Sequence, residues 1–172
     1  SKIGCTIFDK SNTLVHVSGH GSQEELKLMQ AINEAGSLND FVYQWSENGG
    51  DLYSSKNVIN ILLLGLDSKE GLTNGGRSDS MILVSLNKET KEINLNSFFR
   101  DSWCYTNAGG YDTFCKMNAS YYYGGPSGVI DTIEKNFKID IDYYVAVDFT
   151  SFVEVIDALG GVTVEVQEYE AE

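Results

Sequence analysis

Basic residues are scarce in this chain. Its 12 lysines and arginines stand against 25 aspartates and glutamates, for a net charge of −13. That balance argues against nucleic acid as a partner, because phosphate backbones need clustered Lys and Arg. Long apolar runs are also missing: none approaches the ~20 residues needed to span a bilayer. No signal sequence is visible and the first residue is not Met. The expectation is an expressed fragment from which a membrane or export segment, if any, has been removed. With a single proline, no low-complexity tract and no repeat, the composition is globular. Histidine is limited to His16 and His20, far from the cysteines, and no Cys-x-x-Cys pair exists. This argues against zinc and leaves the histidines as a strand residue and a loop residue. Of the three cysteines, Cys104 and Cys115 bracket a polar, Gly-rich loop. A loop-closing disulfide and two reduced thiols are both open.

The order of elements can be read from periodicity. Residues 4–17 form a hairpin around Asp9-Lys10-Ser11-Asn12. Ser22-Gln23-Glu24-Glu25 is a capping box, followed by a helix through Leu26, Met29 and Ile32 that ends near Gly36. Phe41, Val42 and Trp45 indicate a second short helix or turn, broken at Asn48-Gly49-Gly50. Residues 1–56 carry no recognisable chemistry and read as an accessory segment or sheet extension. Residues 57–66 are apolar on both faces and predict a strand buried on both. Strands over Ser80 to Leu86 and Glu92 to Phe98 follow, joined by the polar turn Asn87-Lys88-Glu89-Thr90. Pro126 opens a helix whose apolar face is Val129, Ile130, Ile133 and Phe137. Asp142 to Val147 is a strand, Asp148 or Thr150 caps a helix stopped by Gly160-Gly161, and Val162 to Val166 is a last strand. This order implies an α/β layered sandwich, a central mixed sheet flanked by helices.

Chemistry concentrates between Asp67 and Asp101. The apolar strand delivers Asp67, a Gly-rich loop delivers Gly76-Arg77-Ser78-Asp79, and the hairpin ends in Phe99-Arg100-Asp101. Two carboxylates, Asp67 and Asp79, converging on one sheet edge can share a hard cation such as Mg²⁺. Gly71, Gly75 and Gly76 would let the loop approach an anion closely. Arg77 and Arg100 can each clamp phosphate oxygens in bidentate fashion. Asp101 would orient Arg100, bind the metal indirectly, or accept a proton. On residue types alone the plainer reading stays open, in which the aspartates cap turns and the arginines pair with them.

Several blocks resemble the LytR-CpsA-Psr family. They are Asn60-Ile61-Leu62-Leu63-Leu64-Gly65-Leu66-Asp67, Gly76-Arg77-Ser78-Asp79-Ser80-Met81-Ile82-Leu83 and Ser97-Phe98-Phe99-Arg100-Asp101. The likeness continues in Lys116-Met117-Asn118-Ala119-Ser120-Tyr121-Tyr122-Tyr123-Gly124-Gly125, Ile141 to Phe149 and Ile156 to Val162, so the motifs span 58–166 within a domain at 57–172. The resemblance implies an enzyme at the extracytoplasmic face of a Gram-positive-type cytoplasmic membrane, held there by a segment outside this sequence. Such enzymes move a glycopolymer, teichoic acid or capsule, from a polyprenyl pyrophosphate carrier to peptidoglycan. Carried over, Asp67 and Asp79 would serve a Mg²⁺ site, Arg77 and Arg100 would hold the pyrophosphate, Lys116 would add a phosphate contact, and Asp101 would be a base or orienting group. The alternatives are a lipid pyrophosphate hydrolase and a non-catalytic polyprenyl phosphate binding module.

Two departures carry expectations. Phe99 stands where many members have Pro, which should be tolerated because the backbone only has to present Arg100. The family pattern also continues past Gly160-Gly161-Val162 into a helix with further arginines, which have no counterpart before Glu172. Weak or absent transferase activity and exposed apolar sheet or helix surface are therefore expected. Val129, Ile130, Ile133, Phe137, Phe149, Phe152, Val153 and Ile156 would line a lipid tunnel or form ordinary core. The Tyr121-Tyr122-Tyr123 run would stack on sugar or pack under the sheet.

Overall fold

A computed structural model describes residues 5–8, 14–18, 30–67 and 76–167. The first hairpin pairs β1 (Cys5–Phe8) with β2 (Leu14–Ser18) antiparallel, as the alternation predicts. Its turn, the Ser22–Glu25 capping box and the glycines at 71 and 75 lie outside the described residues. Residues 30–35 are helical and end at Gly36, whose φ of +96° is the left-handed stop the sequence predicts. Helix α1 (Leu38–Asn48) begins immediately after, with the Ser37 hydroxyl accepting the Asp40 N–H at 3.1 Å.

Three strands form the next unit: β3 (Val58–Leu66), β4 (Ser78–Asn87) and β5 (Ile93–Ser97). The β4–β5 turn is closed by Asn87, whose Oδ1 accepts the N–H groups of Glu89 and Thr90. A separate hairpin, β6 (Trp103–Thr106) and β7 (Thr113–Lys116), leads into helix α2 (Ser120–Phe137). Strand β8 (Tyr143–Val147) and helix α3 (Phe149–Ala158) complete the described elements. The four-stranded sheet has the order β5-β4-β3-β8, with β8 parallel to β3 and the other pairs antiparallel. The predicted layered α/β fold with a mixed sheet is the one observed.

Helix α2 starts earlier than Pro126. It runs from Ser120 through a kink at Gly125 (φ 61°, ψ −153°), a conformation only glycine adopts readily. Pro126 then opens the straight segment, where its missing N–H costs nothing. Gly109 is equally constrained: at φ +59°, an added Cβ would lie 1.9 Å from the Tyr123 carbonyl oxygen. The β6–β7 loop thereby packs directly on the first turns of α2.

The core lies on one side of the sheet. Leu62, Leu64 and Leu66 of β3 and Met81 and Leu83 of β4 pack with Tyr121, Val129 and Ile133 of α2, and with Cys104 and Met117. Val129 and Ile133 are thus core residues rather than tunnel lining. The expectation that β3 is buried on both faces is not met. Leu63 is 36% exposed, and its register neighbours Ile82 and Val145 lie on the same open face, Val145 half exposed. Helix α2 covers only the other face, and α3 buries none of its own residues among those described. The expected strand over Val162 to Val166 is also absent: residues 161–167 pair with no strand among the described residues, and Val162, Val164 and Val166 are exposed. A valine alternation has β character only once a neighbour supplies its ladder hydrogen bonds. The exposed apolar surface anticipated from the sequence is present on this open face and on α3, at Phe149, Phe152 and Val153.

Candidate functional site

Sheet topology decides where the charged residues meet. Strands β3, β5 and β8 end at the edge where β4 begins, because β4 is antiparallel to its neighbours and β8 is parallel to β3. Asp67 follows β3, Asp79 is the second residue of β4, Arg100 and Asp101 follow β5, and Asp148 follows β8. Four chain segments thus bring carboxylates to one edge. The register adds a detail. Gly65 pairs with Ser80 and Leu66 with Ser78, so Asp79 is the extra residue of a β-bulge. A bulge re-aims a side chain out of the regular pleat, and here it turns Asp79 toward Arg100.

The Arg100 Nη1 lies 2.9 Å from Asp79 Oδ2, and its Nε lies 3.8 Å from Asp101 Oδ2. Lys116 donates to Asp101 Oδ1 at 2.6 Å. Arg100 and Asp101 sit in a turn closed by the Ser102 N–H on the Phe99 carbonyl at 3.0 Å, so Phe99 itself is left pointing to solvent and only the backbone presents the pair. Asn118 reinforces the cluster. Its Nδ2 donates to Asp79 Oδ1 at 3.2 Å, its backbone N–H donates to the Arg100 carbonyl at 3.1 Å, and its buried Oδ1 has no hydrogen-bond partner among the described residues. Asp67 and Arg77 are joined through the backbone, the Asp67 N–H donating to the Arg77 carbonyl at 3.1 Å. Both side chains are exposed, and no ion pair among the described residues ties Arg77 to Asp79 or Asp101.

Beside this charged edge runs a cleft of about 440 Å³. Asp67 and Asp79 form part of its lining, together with Leu63, Ile82, Val147 and Phe152. Gly65 is in its wall, where a Cβ would come within 3.0 Å of the Ser80 Cβ across the ladder. Asp148 also lines it. It is buried and caps α3 by accepting the Ser151 N–H at 2.7 Å, as the sequence suggests, and that bond holds its carboxyl below the ordinary value. Phe149 and Phe152, candidates for a lipid tunnel, do line this cleft. Of the tyrosine run, Tyr121 is buried under the sheet while Tyr122 is exposed.

Sequence reasoning brought together Asp79, Arg100, Asp101 and Lys116, and Asp67 with Asp79. It did not single out Asn118 or Asp148 as site residues. Asn118 sits in the quoted Lys116-Met117-Asn118 block, and a polar side chain between a strand and a helix was the available signal. Three acidic groups line the cleft, but no group of three or more His, Cys, Asp or Glu among the described residues is close enough to hold a metal by itself.

Asp101 titrates below the usual carboxylate value of 3.8, first because Lys116 hydrogen-bonds its side chain and then because Lys116 and Arg100 are positive nearby. A depressed folded-state pKa means the contact is complete above the unfolded value and is lost as pH falls through the lower folded one. Followed by NMR, the Asp101 carboxyl should titrate with a midpoint below 3.8, and Lys116→Ala should move that midpoint upward. An unchanged midpoint in the variant would remove Lys116 as the cause. The Asp101 carboxylate lies within ion-pair distance of both Lys116 and Arg100, at 2.6 and 3.8 Å.

Comparison with known proteins follows the same residues. The LytR_cpsA_psr family model matches residues 13–172, taking in the motif blocks and much of the N-terminal segment. The polyisoprenyl-teichoic acid–peptidoglycan teichoic acid transferase TagU of Halalkalibacterium halodurans is 39% identical over 112 residues, covering 65% of this chain and 36% of that protein. TagU of Bacillus subtilis is 36% identical over 111 residues, covering 64% of this chain and 35% of that protein. Among solved structures, the LytR-CPS2A-psr family protein YwtF (TagT) with bound octaprenyl pyrophosphate lipid aligns with a TM-score of 0.54 at 31% identity, covering 70% of this chain and 46% of the other. TagT bound to LIIa-WTA aligns with a TM-score of 0.53 at 34% identity, covering 66% and 41%. The chain spans little more than a third of the length of the curated relatives it matches. With the family model matching nearly its whole length, and with the sheet-edge cluster falling in the matched blocks, this chain belongs to the LytR_cpsA_psr family.

Proposed function

We propose that this chain works as a glycopolymer phosphotransferase of the cell envelope, taking a teichoic acid or capsule-type polymer from a polyprenyl pyrophosphate carrier to peptidoglycan. The observation that carries this reading is the composition of one cleft: an apolar wall of Leu63, Ile82, Val147 and Phe152 running to a rim with Asp67, Asp79 and, on Asp79, Arg100. A lipid pyrophosphate has the same polarity, an apolar chain ending in a compact anion. The names of the relatives, which include teichoic acid transferases and a TagT with octaprenyl pyrophosphate, support the same substrate class.

The residues divide the work by charge. Arg100 pairs with a phosphate oxygen and is aimed by Asp79 and Asp101, while Lys116 supplies a second positive group and Arg77 a third from across the edge. Mg²⁺ suits the donor set: Asp67 and Asp79 offer hard carboxylate oxygens, and the Oδ1 of Asn118, which has no partner among the described residues, lies on the amide that bonds Asp79. When bound, Mg²⁺ would neutralise charge on the pyrophosphate oxygens. In the reaction, a sugar hydroxyl of the acceptor attacks the phosphorus attached to the glycan. A phosphodiester to the acceptor forms, the bond to the bridging oxygen breaks, and polyprenyl phosphate leaves. Positioning and charge neutralisation supply most of the rate in such transfers. Because the donor is lipid-linked and the acceptor is wall material, we assign the domain to the outer face of the cytoplasmic membrane. No helix among the described residues is long and apolar enough to cross a membrane, and attachment is assigned to a segment outside this sequence.

The test is product analysis with a lipid-linked glycopolymer and peptidoglycan fragments. Glycan joined to peptidoglycan through a phosphodiester, with polyprenyl phosphate released, is the expected product, formed only weakly by residues 1–172 alone. Free glycan phosphate would make the protein a hydrolase, and lipid binding without product would make it a binding module.

A further inference from the structure

Cys104 and Cys115 are register partners on the antiparallel strands β6 and β7, directly opposite each other. Residues opposite on such a ladder have Cα atoms about 4.5–5.5 Å apart, within the range of about 4.4–6.8 Å that a disulfide spans. Facing residues share one side of a hairpin, and both thiols are buried there, Cys104 at 2% and Cys115 at 8% exposure. Both are free thiols in this structure, and the Cys104 Sγ donates to the Ser102 carbonyl at 3.6 Å. Cys104 forms part of the core with Leu62, Leu64 and Tyr121.

We propose that Cys104 and Cys115 are a built cross-strand disulfide site, oxidised as the chain folds in a compartment that supplies a disulfide-bearing thiol oxidoreductase. The Cys104 thiolate attacks one sulfur of the oxidant's disulfide and expels the other. The Cys115 thiolate then attacks the Cys104 sulfur of that mixed disulfide, closing the Cys104–Cys115 bond and expelling the second oxidant sulfur. Two protons leave the chain, and the oxidant ends as a dithiol. Burial sets the order of events. It pushes the Cys104 thiol up to about 12, with Cys115 beside it adding to the rise, so almost no Cys104 thiolate exists in the folded hairpin at neutral pH. The exchange therefore belongs to folding, before the hairpin closes onto α2, and the finished bond is shielded from reductants.

The bond would also brace the charged edge. Strand β6 starts just after Asp101, and β7 ends at Lys116. Their outer ends are already tied by the Met117 N–H on the Ser102 carbonyl at 2.8 Å and by the Lys116–Asp101 ion pair. A covalent link one register position inward closes the loop of residues 105–114 and fixes the spacing of the two strands that carry that pair. This inference rests on the hairpin geometry and not on the proposed reaction.

The experiment is a thiol map. The protein is refolded with oxidised glutathione as the probe oxidant, unfolded in denaturant, alkylated without reductant and digested with trypsin. Cleavage after Arg100 and Lys116 releases residues 101–116 as one peptide holding both cysteines. The expected peptide is unalkylated and lighter by two hydrogens than its reduced form. Chymotryptic cuts inside 105–114 should leave two pieces still joined, with Cys5 alkylated. Alkyl groups on both Cys104 and Cys115, or either of them joined to Cys5, would overturn the proposal. A reductant should lower the denaturation midpoint of the oxidised wild type and of Cys5→Ala, and leave Cys115→Ala unmoved. Should Cys115→Ala fail to fold, the map decides alone.

Discussion

Arg100→Ala should weaken binding of a polyprenyl pyrophosphate by about tenfold to a hundredfold while leaving the fold intact. A hydrogen bond to a charged group contributes about 1.5–3 kcal/mol, and each 1.4 kcal/mol is roughly a factor of ten. The guanidinium is well placed to meet a phosphate. Asp79 holds one end at 2.9 Å, Asp101 lies 3.8 Å from Nε, and the side chain remains 51% exposed and within reach of a ligand. Removing it also leaves Asp79 without its cation and facing a phosphate, while Asp101 keeps Lys116. The same exposure makes the ion pair nearly worthless for stability, about 0–1 kcal/mol. Binding loss without a change in the denaturation midpoint is therefore the expected signature. A midpoint that falls in parallel with affinity would mean that Arg100 is a structural pair. Arg100→Lys should recover part of the charge and little of the bidentate geometry.

Leu62→Ala should cost about 2–5 kcal/mol in folding free energy, read as a lower urea midpoint at unchanged slope. Leu62 is fully buried at the centre of β3, between Leu83 of β4 and Tyr144 of β8 in the ladder, and it faces the packed side of the sheet. The neighbouring Leu63→Ala is the control. Leu63 points to the open face at 36% exposure, so its truncation removes less packing and should cost about 1–2 kcal/mol. Equal costs at the two positions would mean that the open face is covered in solution.

The contrast between these two leucines is where the sequence stopped being legible. An unbroken apolar strand reads as buried on both faces, yet burial depends on what packs there, and the pattern of one strand carries no information about its cover. Val162 to Val166 fails in the same way, because a strand exists only with a ladder partner. The β4–β5 hairpin was legible, since its alternation and the Asn87 turn are local. So was the clustering of Asp79, Arg100 and Asp101, because sheet topology brings the ends of successive strands to one edge, whereas Lys116, on a separate hairpin, was implied only by the family resemblance. The bulge at Asp79 was hidden: a one-residue slip between Gly65 and Leu66 leaves no mark in composition. The first turns of α2 were hidden too, because Gly124-Gly125-Pro126 reads as a break, whereas the chain uses it as a kink. Asp148 was legible as a cap, and only its place in the cleft wall needed the structure.

The most direct measurement is a calorimetric titration of a long-chain polyprenyl pyrophosphate into this protein and its Asp79→Ala variant, with and without Mg²⁺. The cleft assignment predicts binding that strengthens with Mg²⁺ and is weakened at least about tenfold in Asp79→Ala, a difference of roughly 1.4 kcal/mol. Equal affinity in both proteins regardless of Mg²⁺, or no binding by the wild type, would contradict it.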